Sequence, residues 1–204
     1  MKRVLAGPNA VTEALGAAGR EIAVVYLAEG LARGTADAIE RLARKAGVEC
    51  HESPREVLDA LAKGLNHQGV VALAGDYPYV DVESLIETSK RSPAPILVVL
   101  DQIQDPGNLG AIVRSAHALG AAGVAVTRDK SASMTPFAVR ASAGASELIR
   151  VARTGNLAQC LDHLRDEGFF IAGAAGEAER CLGEIDWTRP TALVLGSEGR
   201  GLRR

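Results

Sequence analysis

One stretch of the chain, residues 96–127, constrains the fold more than any other. It begins with an apolar run, Ile96 to Leu100, which predicts a buried strand. A turn-forming segment follows, and Asn108 is predicted as the N-cap of a helix that ends near Gly120. A second strand is predicted over 123–127. Such a strand–loop–helix–strand unit is typical of an open α/β sheet, which binds ligands at the carboxyl ends of its strands.

The remaining sequence continues this alternation in two parts. Residues 1–75 are predicted to form a small N-terminal α/β domain, 76–92 a proline-flanked linker with a short helical piece, and 93–204 a second domain with a mostly parallel sheet. The predicted strands lie at 22–27, 69–73, 169–174 and 191–195, and the predicted helices lie at 35–46, 54–63 and 156–167.

Charge and cysteine content exclude some classes of protein. The formal net charge is −2, and Lys/Arg balance Asp/Glu in both parts, nine against nine in 1–75 and twelve against twelve in 93–204. This balance is evidence against a nonspecific, high-affinity nucleic-acid binder, so RNA contacts would depend on locally placed arginines. Cys50, Cys160 and Cys181 are far apart and form no CxxC pair, which favours reduced thiols in a cytosolic protein and no metal site.

Two separate segments of the sequence form motifs. The second is LVLGSEGRGL at 193–202, and the residues of the first are Asp105, Pro106, Asn108, Gly110, Ala111, Ile112 and Arg114. Together they resemble the motifs of one enzyme family, the SpoU (TrmH-like) branch of the SPOUT RNA methyltransferases. Three further segments, GPNAVTEAL, HQGVVA and SAGASE, are similar to the ribosomal-RNA guanosine 2′-O-methyltransferases of this family.

For the fold, the resemblance implies a Rossmann-like parallel sheet of the trefoil-knot class with a smaller N-terminal RNA-binding domain. That domain would be similar to kink-turn-binding ribosomal proteins. The family's third motif lies downstream of the second, and the given sequence ends at Arg204. We therefore expect the knot-completing segment to be absent from this chain, whether by truncation or because a further tail exists, and the 204-residue form to bind cofactor weakly.

For function, the resemblance implies methylation of a ribose 2′-hydroxyl in RNA with S-adenosylmethionine as cofactor. It favours a guanosine of 23S rRNA, a cytoplasmic location and a homodimer, and the small residues at 141–145 favour close packing of backbones in such a dimer. No membrane partner is expected, because the N-terminus lacks a long apolar segment. Two alternatives remain: a tRNA 2′-O-ribose methyltransferase, and a noncatalytic RNA-binding module that retains the fold.

Three residues are candidates for catalysis. Arg114 is predicted one turn into the helix, beside the Asn108 loop, where its cation would hold an RNA phosphate and favour the developing alkoxide. The family's matching arginine is often assigned as general base, but a guanidinium stays protonated in proteins. Asn108 is predicted to orient the target ribose as well as to cap the helix. Glu198 would orient Asn108 or Arg114, or contact the substrate.

A glycine-rich segment after the last predicted strand is the candidate cofactor wall. Three glycines within 196–201 allow close approach of the backbone to a ligand. No GxGxxG sequence follows the first strand of the second domain, which is evidence against a nicotinamide site. Arg140, Arg150 and Arg153 are further candidates for phosphate contacts, whereas His67, His117 and His163 lack a convincing partner. The predicted cofactor-binding residues are Gly196, Ser197, Gly199, Gly201 and Leu202.

Overall fold

The N-terminal part of the chain forms a four-stranded mixed sheet with three helices. The computed structural model describes residues 3–17, 21–92, 94–199 and 201–202. The sheet order is β1-β4-β2-β3, in which β4 is antiparallel to both of its neighbours and β2 is parallel to β3. The elements are β1 (Arg3–Ala6), α1 (Pro8–Gly16), β2 (Ile22–Ala28), α2 (Arg33–Ala46), β3 (Glu49–Ser53), α3 (Arg55–Ala62) and β4 (Val70–Ala74).

The C-terminal part forms a five-stranded parallel sheet in the order β7-β6-β5-β9-β8. The sheet confirms the predicted α/β class with its parallel sheet, and the strand at 191–195 has the predicted bounds. The elements are α4 (Val82–Ser89), β5 (Ile96–Leu100), α5 (Pro106–Ala118), β6 (Gly123–Thr127), α6 (Pro136–Ala141), β7 (Val151–Thr154), α7 (Leu157–Asp166), β8 (Phe170–Ala174) and β9 (Thr191–Leu195).

Alternating residues of the central strand β5 serve two different cores. Val98 and Leu100 belong to a cluster that contains α5 residues, whereas Leu97 and Val99 belong to a cluster with residues of α4 and α7. A strand buried on both faces explains why 96–100 is an uninterrupted apolar run rather than an alternating one.

The segment predicted as a linker, 76–92, is packed against the parallel sheet. It contains α4, whose Leu85 lies so close to β6 that a Cβ on Gly123 would be 2.2 Å from Leu85 Cδ1. Val80 forms a parallel β-bridge with Ala152 of β7. The segment therefore packs as part of the C-terminal layer. It does not form an open connection between two separated domains.

The two parts of the chain pack together through a shared core and a buried ion pair. One apolar cluster includes Val11 and Val25 of the N-terminal part with Val113 and Val139 of the C-terminal part. Arg3 Nη1 lies 2.7 Å from Glu147 Oε1, and both side chains are 6% exposed.

The small residues at 141–145 contribute to this contact inside the chain. A Cβ on Gly144 would lie 3.2 Å from the carbonyl oxygen of Asn9 in α1. Ser142, Gly144 and Ala145 are buried. These residues therefore allow close packing between the two parts of one chain, which is a different contact from the predicted one between subunits.

None of the helices in the described part of the chain combines the length and apolar character needed to span a bilayer.

Candidate functional site

A large cavity opens where the order of the parallel strands reverses. β5 pairs with β6 on one side and with β9 on the other, so the loops that leave β5 and β9 diverge at their carboxyl ends. The backbone N–H of Asp101 donates to the carbonyl of Leu195, 2.8 Å away, which holds the two exits side by side. The cavity has a volume of about 1030 Å³. Its lining comprises 102–105, Asn108, Ala111, Ile112, Lys130 and 195–199.

The start of α5 forms one wall of this cavity. Asp105, rather than Asn108, caps the helix, because its Oδ1 accepts a hydrogen bond from the Asn108 N–H at 2.7 Å. The prediction of Asn108 as N-cap is therefore wrong. Pro106 at the first helical position needs no N–H partner, so the helix begins three residues earlier than the sequence suggested. The Asn108 side chain is thereby free of the capping role and lines the cavity.

A tight loop after β9 forms the opposite wall. Ser197 and Gly201 exchange two backbone hydrogen bonds, 3.1 Å and 2.9 Å long. Gly196 is required at the base of this loop, because a Cβ there would lie 2.2 Å from the backbone carbonyl of Gly201. Ser197, Glu198 and Gly199, which the sequence offers as cofactor-binding and catalytic candidates, line the cavity.

One side-chain hydrogen bond joins the two walls. Asn108 Nδ2 donates to Glu198 Oε1, although the two residues are 90 positions apart in the sequence. The prediction that Glu198 could orient Asn108 thus has a direct geometric basis. With Glu198 as acceptor, the Asn108 amide is fixed at the rim of the cavity and its carbonyl oxygen is left for another partner.

Two residues that sequence analysis did not select line the same cavity in strained backbone conformations. Gln102 has φ 57° and Lys130 has φ 55°, both in the left-handed region that non-glycine residues seldom adopt. Strain of this kind concentrates at functional sites, where the surrounding structure holds it in place. Gln102 follows β5 directly, so its position could have been predicted. Lys130 belongs to the loop after β6. It reaches the cavity only because β6 lies next to β5 in the sheet.

Arg114 does not line the main cavity. Because α5 begins at Pro106, Arg114 lies two turns into the helix rather than one. At 3.6 residues per turn it is rotated by about 120° round the axis from Asn108. It lines a second cleft of about 430 Å³, together with the turn at 64–66 and residues of α6.

Two of the predicted cofactor-binding residues, Gly201 and Leu202, are not among the residues that line the cavity. Gly201 closes the loop by its hydrogen bonds with Ser197. Leu202 packs over β8, where a Cβ on Gly173 would be 2.7 Å from Leu202 Cδ1. Arg200 of the same motif lies outside the described residues.

Two of the other three arginine candidates have structural partners. Arg153 lies over the ring of Tyr79, 4.8 Å from the centroid, and its Nε is buried without a hydrogen bond. Arg140 Nε donates to the carbonyl oxygen of Asn66 at 2.9 Å. Arg150 is exposed.

His67 is buried and has two partners, contrary to the prediction. Its Nδ1 accepts from the Gly69 N–H at 3.1 Å, so Nε2 carries the proton that is donated to Asp59 Oδ1, 2.8 Å away. His67 therefore fixes the turn at 64–69. Among the described residues, no three His, Cys, Asp or Glu side chains are grouped as metal ligands would be.

The main cavity suits a nucleoside with a polar tail. Ile103, Ala111, Ile112 and Leu195 supply apolar surface, and the loop at 196–199 supplies backbone donors and acceptors at close range. Polar and charged side chains, among them Gln102, Asp105 and Lys130, line the rest of the cavity, and sites for small organic ligands combine apolar surface with polar groups that fix the orientation of the ligand. The residues present thus fit S-adenosylmethionine, which has an adenosine part and an amino-acid part.

Comparison with known proteins gives matches over nearly the whole chain. Residues 95–204 match the model described as "SpoU rRNA Methylase family", and residues 4–80 match the model described as "RNA 2'-O ribose methyltransferase substrate binding". A Bacillus subtilis protein provisionally named as a TrmH family tRNA/rRNA methyltransferase, YacO, is 36% identical over 199 residues, which are 97% of this chain and 79% of that protein.

A second relative and a solved structure agree with these matches. The 23S rRNA (guanosine-2'-O-)-methyltransferase RlmB of Pseudomonas syringae is 38% identical over 97% of this chain and 79% of its own length. The crystal structure of an AdoMet-bound rRNA methyltransferase from Sinorhizobium meliloti has a TM-score of 0.79 at 24% identity and covers 99% of this chain and 73% of that chain. At that identity the structural likeness concerns the fold.

Proposed function

Because the chain belongs to the SpoU rRNA methylase family, as its family-model match and its relatives show, we propose that it methylates the 2′-hydroxyl of a guanosine in 23S rRNA with S-adenosylmethionine. The family predicted from the two motifs is confirmed. The observation that carries the proposed reaction is the hydrogen bond between Asn108 and Glu198, which joins the first and second motifs on opposite walls of one cavity.

In the proposed reaction, the cavity holds the cofactor and Asn108 holds the ribose. S-adenosylmethionine supplies a methyl group bound to a positively charged sulfur. Ser197 and the backbone of the 196–199 loop bind the cofactor, and Asn108, fixed by Glu198, accepts a hydrogen bond from the ribose at its free carbonyl oxygen. Such positioning of the nucleophile converts a bimolecular reaction into an effectively unimolecular one.

Arg114 is proposed to act through its charge from the neighbouring cleft. The guanidinium remains protonated, so it donates hydrogen bonds to an RNA phosphate and does not remove the ribose proton. That proton leaves to a phosphate oxygen or to water as the 2′-oxygen is methylated. Because Arg114 and Asn108 lie on the same helix but face different cavities, the RNA backbone would cross α5 between them.

The remaining parts of the proposal concern organisation. Residues 1–75 are proposed to select the RNA, 76–92 to connect, and 93–204 to catalyse, in accord with the separate match of 4–80 to a substrate-binding model. A homodimer and a cytoplasmic location are proposed from the family resemblance.

The test is methyl transfer from tritiated S-adenosylmethionine to unmethylated 23S rRNA by the full-length protein. The expected product is 2′-O-methylguanosine at a single position, identified by nucleoside analysis and primer extension. Transfer to tRNA transcripts alone would assign the protein to the tRNA alternative. RNA binding without transfer, with S-adenosylmethionine present, would identify a noncatalytic RNA-binding module. Sedimentation of the same sample tests the dimer.

A further inference from the structure

The second cleft lies at the junction of the two parts of the chain. The turn at 64–66 forms one side, and Arg114, Phe137 and Arg140 form the other. Phe137 is 55% exposed, which is unusual for a large aromatic side chain. The other large apolar side chains exposed in the described residues are aliphatic: Val57, Leu119, Leu148 and Leu182.

The walls of this cleft are held in place by specific contacts. Arg140 Nε donates to the Asn66 carbonyl at 2.9 Å, which links α6 to the turn. Buried His67 fixes the same turn through Asp59 and Gly69. The cleft therefore has a defined shape rather than being a gap between loosely placed side chains.

Phe137 also lies beside the first turn of α5. A Cβ on Gly107 would be 3.2 Å from Phe137 Cε1, so the ring packs next to the residue that precedes Asn108 in the helix. Asn108 lines the main cavity and Phe137 lines the cleft. The ring is therefore adjacent to the place where the proposed function puts the target ribose.

The chemistry of the cleft fits a nucleotide. Among the described residues that line it are two arginines and no acidic residue, so it favours a phosphate. Proteins stack unpaired bases of RNA on exposed aromatic rings, and arginines in the same cleft bind the phosphates of that RNA.

We propose that the cleft binds a nucleotide adjacent to the methylated one, with its base stacked on Phe137 and its phosphate facing Arg114. This inference rests on the proposed function and adds a residue that determines how the RNA is held. Phe137 is absent from both sequence motifs. Its role follows from its exposure and from its packing beside Gly107 in the first turn of α5.

The experiment compares Phe137→Ala, Phe137→Leu and Phe137→Trp with the control Leu182→Ala, which removes a side chain that is 60% exposed and lies outside both cavities. The dissociation constant for unmethylated 23S rRNA is measured by filter binding, and that for S-adenosylmethionine by calorimetry. Loss of one stacked base should weaken RNA binding by about 10-fold in Phe137→Ala and Phe137→Leu. Phe137→Trp and Leu182→Ala should bind RNA like the wild type, and cofactor binding should be unchanged throughout.

The inference is overturned if Phe137→Ala binds RNA as tightly as the wild type, or if Phe137→Trp is as weak as Phe137→Ala. It is also overturned if Phe137→Ala dissociates a dimer in the absence of RNA, since the ring would then be covered by a second copy of the chain. Failure of the proposed function has a different signature: the wild type then binds RNA in a Phe137-dependent manner but transfers no methyl group.

Discussion

At the scale of single residues, the hydrogen bond between Asn108 and Glu198 offers two roles for Glu198 that can be told apart. Glu198 acts either by positioning the Asn108 side chain or through its own negative charge. Glu198 accepts the Asn108 amide hydrogen and is itself exposed at the edge of the loop. If Glu198 acts by orienting Asn108, an uncharged acceptor of the same shape can replace it. Its carboxylate charge matters only if it contacts the substrate directly.

We therefore expect Glu198→Gln to retain most of the methyl-transfer activity and Glu198→Ala to lose about 10-fold in kcat, the effect of one hydrogen bond in the transition state. Single-turnover kinetics with saturating RNA and cofactor provide the measurement. A Glu198→Gln variant as slow as Glu198→Ala would show that the charge itself is needed, and the orienting role would be wrong.

Arg114 is the second residue whose replacement is informative. Arg114→Ala should lower kcat by at least about 100-fold, because the RNA phosphate that positions the target ribose would lose its charged hydrogen-bond donor. Arg114→Lys should restore little, because an ammonium cannot reproduce the guanidinium fork. Affinity for S-adenosylmethionine should not change, since Arg114 lines a different cleft. Arg165→Ala, which removes an exposed arginine of α7 outside both cavities, is the control. Near-normal turnover of Arg114→Ala would contradict the assignment.

The residues that could be predicted are those that lie in the two motifs next to strand ends. Ser197 and Glu198 lie just after the apolar strand β9, and Asn108 lies at the start of the helix that follows the apolar strand β5. Lys130 and Phe137 lie outside the motifs, and they reach their sites only through the order of the strands and the contact of α6 with α5. The capping error at Asn108 arose because Asp105 and Asn108 are both good N-cap residues, and Pro106 at the first helical position decides between them.

At the scale of elements, the loop after β9 depends on the absence of one side chain. A Cβ at Gly196 would overlap the backbone of Gly201, and backbone atoms cannot move aside as a flexible side chain can. A Cβ at Gly199 in the same loop would meet nothing within 4 Å. The two glycines form a matched pair in which one position is crowded and the other is open.

Gly196→Ala should therefore open the Ser197–Gly201 loop and weaken S-adenosylmethionine binding strongly, whereas Gly199→Ala should leave it close to the wild-type value. Calorimetric titration of the full-length protein with the cofactor measures both, and circular dichroism checks that the sheet is intact. Equal affinities of the two variants would show that the loop does not form the cofactor wall.

The strongly patterned elements of the fold were predictable, and those whose pattern is interrupted were not. β5 is apolar throughout, β6 and β9 are apolar apart from one terminal threonine each, and α2 has a clear apolar face, so each follows from its sequence. β1, β7 and α6 are short, and an arginine interrupts the apolar pattern of each. Strand order in the parallel sheet could not be read from any local pattern, because it is determined by how helices pack across both faces.

At the scale of the whole molecule, the two parts of the chain are joined by a buried ion pair. Burial raises the pKa of Glu147, and the adjacent Arg3 guanidinium opposes this by favouring the carboxylate. Glu147→Leu should lower the free energy of unfolding by about 3–5 kcal/mol, because it leaves the Arg3 charge buried without its partner. The combined variant Arg3→Met with Glu147→Leu should recover much of this loss.

Urea denaturation measures these differences. The control is the exposed pair of Lys90 and Glu167, whose N–O distance of 2.6 Å is similar to the 2.7 Å of the buried pair. Lys90→Met should change the free energy of unfolding little. If Glu147→Leu is no more destabilising than Lys90→Met, the buried pair does not hold the two parts together.

The shared core also affects any experiment that divides the chain. Val113 and Val139 of the C-terminal part pack in one cluster with residues of the N-terminal part. Removal of residues 1–75 would expose this surface to water, so loss of RNA methylation in such a fragment would not distinguish lost recognition from lost stability. Substitutions on the surface of the intact protein avoid this ambiguity.

The buried contact between Arg3 and Glu147 has a geometric consequence for the substrate. With the two parts of the chain fixed to each other, the separation between the N-terminal surface and the main cavity is constant. If residues 1–75 bind the RNA as proposed, an RNA held at both places would have to span that separation, and a correct local sequence at the wrong distance would be left unmodified. The protein would then select its RNA by the distance between two contacted places as well as by local sequence.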